Sequence, residues 1–352
     1  MKPKYLIFTI IGIIIIACGS YYFYTQQSQN NLLQQKKQLA ISDFNSNNLD
    51  DAILNAQELT KSEKTKVEGL LLLAASYVQK GSVEFKEKEY GDKAISTAQD
   101  VLAIEPSNAE AYRLIGYANE IEQNYPESIK NYDKSISLNA ENAIALASRG
   151  HAYYLMGENK KAEEDFLTAI SIDPKMETAL LNLARLSFEA GDSKKAEEYL
   201  AKIVDPNTPS LVKADALTLS ALIKGQNSDI EGALDSFNKA LALNPTSPYI
   251  MVCIAQVKTA LLFKNGTTIK KIDVEKIISD VEAAISINPS QTIAYITLGK
   301  LKALIGDSKG AEEQFNKAKA VVAEDITLNS IAKKNIQTEI ENALSISIKE
   351  IK

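Results

Sequence analysis

The sequence predicts an all-α protein: a right-handed α-solenoid of about eight helix-turn-helix repeats behind an N-terminal transmembrane or signal segment. Three observations predict it. The composition is that of a helical chain, a residue pattern returns every thirty-four positions, and the first residues form an uncharged run. Among the 352 residues glycine (15) and proline (9) are sparse, and good helix formers dominate. The formal net charge is -6. Such a chain gains nothing from releasing counterions on a polyanion, so no nucleic-acid partner is expected. There is one histidine, His151, and the two cysteines, Cys18 and Cys253, lie in unlike contexts. They make neither a disulfide framework nor a ligand cluster, so no metal and no cofactor are expected.

The N-terminal element is residues 1–25. Lys2 and Lys4 precede an uncharged run from Tyr5 to Tyr24. At about 1.5 Å per residue that run spans roughly the 30 Å of a bilayer's hydrocarbon core. It closes on Tyr21, Tyr22, Phe23 and Tyr24, aromatics suited to a membrane interface. Three readings stay open: an uncleaved anchor, a lipoprotein signal with Cys18 lipidated after Ile15-Ile16-Ala17, or a cleaved secretory signal. The flanking lysines favour a cytoplasmic N-terminus. The expectation is therefore a single-pass protein of a bacterial inner membrane with its repeats in the periplasm or outside the cell, or else a lipoprotein. Residues 26–38, rich in Gln and Asn, read as a polar spacer.

The repeats occupy residues 33–325. Gly150, Tyr153, Gly157, Ala162, Phe166, Ala169 and Pro174 set the pattern. One period upstream lie Gly116, Ser128, Tyr132 and Ser135; one period downstream lie Ala184, Gly191, Ala196, Leu200 and Ile203. Further copies carry Ala221, Ala233, Phe237, Ala240 and Pro245, then Gly299, Gly306, Ala311, Phe315 and Ala318. A copy from Pro248 to Pro289 is stretched by about ten residues. Another, ending in Ala94, Ala98 and Pro106, has a lengthened first helix, and a degenerate first copy holds Ala40, Leu49, Ala52 and Leu59. Residues 326–352 read as an amphipathic capping helix. Small residues at Gly150 and Ala162 let two helices approach closely, Phe166 fills the gap to the next repeat, and Pro174 ends the second helix. One repeat cannot bury its apolar face alone, so neighbours stack and leave a concave face lined by first helices.

This pattern resembles the tetratricopeptide repeat family. The segment Ala143–Met176 carries nearly all of it in Leu146, Gly150, Tyr153, Gly157, Ala162, Phe166, Ala169 and Pro174, with Arg149 departing at the usual Leu position. The resemblance implies protein partners, a peptide or helix held in the groove, and no small-molecule substrate. Some members clamp C-terminal carboxylates with a Lys–Asn–Asn–Lys–Arg set. Only Asn182 falls on that set, so this activity is not carried over.

Catalytic motifs are missing: there is no Walker A loop, G-x-S-x-G, H-E-x-x-H or C-x-x-C, and the chain is not expected to be an enzyme. The acidic pairs Glu163-Glu164, Glu197-Glu198 and Glu312-Glu313 recur at one repeat position and read as a solvated face. Asn265-Gly266-Thr267 matches a glycosylation acceptor but reads as the loop of the stretched repeat, and Cys253 reads as a packed thiol. The expected groove residues are Arg113, Tyr117, Ser148, His151, Tyr154, Asn182, Arg185 and Phe188, followed by Leu219, Leu222, Tyr249, Val252 and Gln256. Arg113, Arg149 and Arg185 are the only arginines and fall in three consecutive first helices. Arginine beside aromatics suits bidentate carboxylate recognition, so Arg113 and Arg185 are expected as exposed cations of the groove and Arg149 as structural. The function expected is a membrane-tethered scaffold or assembly factor of the cell envelope, like relatives that help assemble pili, secretion pores or polysaccharide exporters. The alternative is a structural subunit acting by self-association.

Overall fold

The computed structural model describes residues 24, 26–84, 87–203, 208, 210–264, 270–324, 333–334, 336–338 and 340–342. Within them the chain is helical throughout, with no strand. The uncharged run up to residue 23, Cys18 within it, Asn265-Gly266-Thr267 and most of 326–352 lie outside the described residues. Among those described, no helix is long and apolar enough to cross a membrane.

The chain divides into two units, Met1–Glu158 and Asn159–Lys352. In the first, α1 runs through residues 26–45. It is followed by α2 (Leu49–Thr60), α3 (Lys66–Glu84), α4 (Glu87–Ile104), α5 (Ala109–Ile121), α6 (Tyr125–Leu138) and α7 (Ala143–Leu155). The expected spacer 26–38 is thus helical. Its Gln, Leu and Lys are good helix formers, and Lys36 and Lys37 reach Glu58 of α2 and Glu68 of α3. From α2 onward each helix packs on the next, and α3 also touches α5, and α5 touches α7. The first helices of successive pairs therefore form a continuous row, which is what a groove requires.

The second unit holds α8 (Asn159–Ile172), α9 (Glu177–Glu189), α10 (Ser193–Leu200), α11 (Ser210–Gln226) and α12 (Ile230–Leu243). α13 (Pro248–Lys264), α14 (Lys271–Ile287), α15 (Thr292–Leu304) and α16 (Ser308–Glu324) complete it. Its first helices touch in the same way, α9 with α11 and α13 with α15. Taken in order, α1 to α16 make eight pairs. Beyond them Ile340 is buried against Ala311, Phe315 and Ala318.

The repeat pattern acts where the physics puts it. The alanines at positions 94, 98, 162, 169, 196, 233, 240, 284, 311 and 318 are all buried, and so are Tyr132, Phe166, Phe237 and Phe315. A side-chain carbon on Gly116 would lie 2.7 Å from the Tyr132 ring, and one on Gly299 would lie 2.9 Å from Phe315. Those glycines exist to let an aromatic in. Side chains of Asn108, Asn142, Asp192, Asp229 and Asp307 cap the helices that follow by accepting from the backbone N–H three residues on. Pro106, Pro174, Pro245 and Pro289 each stand two residues beyond a helix end. One copy departs from expectation. α10 stops after eight residues, and its buried aromatic is Tyr199 rather than its neighbour Leu200, which is only half-buried. The sequence that follows holds β-branched Ile203 and Val204 and then Pro206, which disfavours helix at the residue before it.

Candidate protein-binding face

The expected groove residues fall in both units, and each unit presents its own first-helix face. In the first unit the structure gathers Arg113, Tyr117, His151 and Tyr154 around a residue that the sequence reading missed, Glu120. Its carboxylate is buried. Oε1 lies 2.7 Å from Nδ1 of His151 on α7, and Oε2 accepts the Tyr132 hydroxyl of α6 at 3.0 Å. One side chain thus ties three helices together. The His151 ring stacks with Tyr154 at 6.3 Å between centroids. Burial first, then the nearby Glu120 charge, push the Tyr117 and Tyr132 hydroxyls above the usual tyrosine range, with Arg113 opposing. Ser148 is half-buried on the same helix as His151.

Arg113 does not stand in the groove as an exposed cation. Its side chain is 13% exposed, and Glu110 holds it through Nε at 2.8 Å and Nη2 at 2.6 Å. Shifting by the repeat period shows why. Arg113 occupies the position of Ala147 and Leu181, both buried core residues. Arg149 occupies that of Ile115 and Leu183, also core, and it donates to Asp133 at 2.7 Å and lies over the Tyr153 ring. Only Arg185 takes the groove position, that of Tyr117 and His151. With Glu110 and Glu120 present, the first unit's face is a balanced polar cluster, not a cationic one.

In the second unit Asn182, Arg185 and Phe188 are half-buried on α9. Asn182 Nδ2 donates to the Thr178 carbonyl at 2.9 Å. Arg185 lies in the field of Asp215 on α11, whose carboxyl is raised by burial while Arg185 pulls it down. Leu219 and Val252, expected to line the groove, are core residues instead. They sit on the side of α11 and α13 turned to their partner helices. Leu222 is half-buried, and Tyr249 is exposed. Gln256 is exposed as well, and it donates to Thr297 at 3.0 Å, linking the first helices α13 and α15. A cleft of about 330 Å³ opens between α8, α9 and α10, walled by Asn159, Glu163, Leu186, Glu189 and Lys195. None of the expected groove residues lines it. Cys253 is buried, and its thiol is pushed up to about 11. Among the described residues no group of His, Cys, Asp and Glu is placed to hold a metal ion.

Residues 143–176 match the family model described as tetratricopeptide repeat, and residues 121–157 match one described as TPR repeat. Residues 121–176 are tetratricopeptide repeats. Solved structures show that the likeness extends along the chain as a fold. A chain of the APC/C hetero-tetramer Cut9–Hcn1 superposes at TM-score 0.64 with 13% identity, over 83% of this chain and 52% of that one. This chain therefore spans about half of that relative's length. A tetratricopeptide repeat protein from Parabacteroides merdae gives 0.51 with 20% identity, over 76% and 99%. The pilus biogenesis factor PilW gives 0.50 with 16% identity, over 63% and 97%. At these identities the likeness is one of fold. No curated protein matches the sequence. Tetratricopeptide repeats are in general non-catalytic modules that mediate protein–protein interaction and assembly.

Proposed function

We propose that this chain is a membrane-tethered scaffold or assembly factor of a bacterial cell envelope that holds segments of partner proteins on its first-helix faces. The observation that carries the reading is the tetratricopeptide-repeat sequence of residues 121–176, set in paired helices with a continuous first-helix row. Aromatic and hydrogen-bonding side chains stand on that row: Tyr117, Ser148, His151 and Tyr154 in the first unit, Asn182, Arg185 and Phe188 in the second. Half-buried aromatics held rigid by their neighbours are the side chains from which binding hot spots are made. Glu120 supports them from below by fixing His151. The uncharged run from Tyr5 to Tyr24 supplies the tether.

The test is crosslinking and pull-down from native membranes, identified by mass spectrometry, with Tyr154→Ala and Phe188→Ala compared separately. Each replacement should leave the circular dichroism spectrum unchanged and weaken partner recovery by about tenfold or more, since a hot spot contributes on the order of 2 kcal/mol. A folded double variant that keeps every partner overturns the assignment of the face. A chain that recovers only further copies of itself makes it a structural subunit instead.

A further inference from the structure

The stretched repeat is extended at one end only, and that end carries a surface of its own. α13 starts three residues after Pro245, just as α9 starts three after Pro174, yet α13 has 17 residues and α9 has 13. Its partner α14 also has 17, where α8 and α12 have 14. Both helices keep their usual outer limits, so the added length is about one turn on each, where they are joined. At 1.5 Å per residue this hairpin reaches about 5–6 Å further than an ordinary repeat. On the inner side of the extra turn Leu262 packs on the α14 core. On the outer side Phe263 is 59% exposed and Ile272 is 54% exposed. Lys264, Lys270 and Lys271 are exposed around them.

We propose that this hairpin end is a lipid-contacting tip that inserts Phe263 and Ile272 at the surface of an anionic bilayer while Lys264, Lys270 and Lys271 meet the headgroups. The charge pattern chooses this occupant. Residues 261–272 contain three lysines and no carboxylate in a chain of net charge -6. Lysine is depleted from protein–protein interface cores, but its long stem allows the ammonium to reach headgroups while apolar neighbours enter the interface. The cations stay available. Lys264 is bound to exposed Glu231 at 2.8 Å, and Lys271 stands 3.8 Å from Glu275, both surface pairs of small energy. The first unit supplies the contrast. Its α3–α4 hairpin is lengthened too, with Val83 45% exposed, but residues 80–90 hold three glutamates against three lysines. Length alone therefore does not bring a basic apolar tip. The inference rests on the reading that residues 5–24 bring the chain to a bilayer.

The experiment uses the full chain, which has no tryptophan, so that Phe263→Trp gives a single emitter. The chain is mixed with phosphatidylcholine vesicles with and without phosphatidylglycerol, and flotation and emission are read together. Emission should shift to the blue and be quenched by brominated lipid in anionic vesicles. A tryptophan placed by Val83→Trp should stay in water. Adding Lys270→Gln and Lys271→Gln should lower the docked-to-free ratio on the order of fivefold per lysine. If the chain floats but the Phe263→Trp signal matches buffer, the tip is overturned and the tether stands. If the chain floats only on anionic vesicles and the signal shifts, the tether falls and the tip stands. No flotation on either vesicle overturns both. Equal quenching at Val83→Trp, or a shift without lipid that grows with protein concentration, also overturns the tip, the latter in favour of a second copy.

Discussion

Glu120 lies at the repeat position that Tyr154 and Phe188 occupy in the next two copies. A carboxylate buried there is tolerated only because His151 and Tyr132 replace the water it loses. The same rule governs Arg113, whose charge is spent on Glu110. Side-chain identity alone does not reveal such pairing, which is why Arg113 reads as a hot spot in sequence and as a held core-side cation in the structure. Cys253 is the opposite case, an ionisable group with no charge to stabilise its anion. Burial raises its thiol from 9.0 to about 11. The folded state therefore keeps a proton that the unfolded state gives up. Stability should fall as pH rises through the interval from about 9 to about 11, by up to about 2–3 kcal/mol. In a Cys18→Ser background, alkylation by iodoacetamide at pH 8 should proceed at the unfolding rate and no faster. Rapid labelling of the native protein at pH 8 would show that the thiol is accessible.

At the scale of the helix, the second helix of each pair uses two buried small residues, and α6 fills both seats with serine. Ser128 and Ser135 are fully buried, and neither hydroxyl has a hydrogen-bond partner among the described residues. They take the places of Ala162 and Ala169 in α8. A buried hydroxyl without a partner costs about 1–3 kcal/mol. Ser128→Ala and Ser135→Ala should therefore each raise stability by about 1 kcal/mol or more, read as a higher midpoint in urea at unchanged slope. A lowered midpoint would mean that each hydroxyl has found a partner. The turns follow similar logic. Gly157, Gly191 and Gly306 have φ of 76°, 84° and 83°, and Gln123 holds the same left-handed turn at 63° without glycine's freedom. The periodicity places this turn well, but the loss of glycine at 123 did not move it, because the helices on either side impose the reversal.

At the scale of the chain, the pairs behave as repeated units, each needing neighbours to cover its apolar face. Membrane attachment is a property of residues 1–25, and it is tested apart from the fold. Residues 26–352 should be digested by protease added to spheroplasts, given Lys2 and Lys4 ahead of the uncharged run. Full protection would place the repeats in the cytoplasm.

The sequence by itself determined the helical class, the period, the eight pairs and which small and aromatic residues enter the core. These depend on spacing along the chain, and spacing survives in one dimension. It also located the lengthened repeat between Pro248 and Pro289. Only the tertiary structure decided which polar side chains face each other. Glu120 with His151 is a contact across 31 positions, and Arg113 turns to Glu110 because its place in the repeat points at the core. The short α10, with Tyr199 in the aromatic seat, was likewise out of reach. A thirty-four-residue period tells where a residue stands on its helix. The partner that answers its charge comes from another helix, and that choice is made by packing.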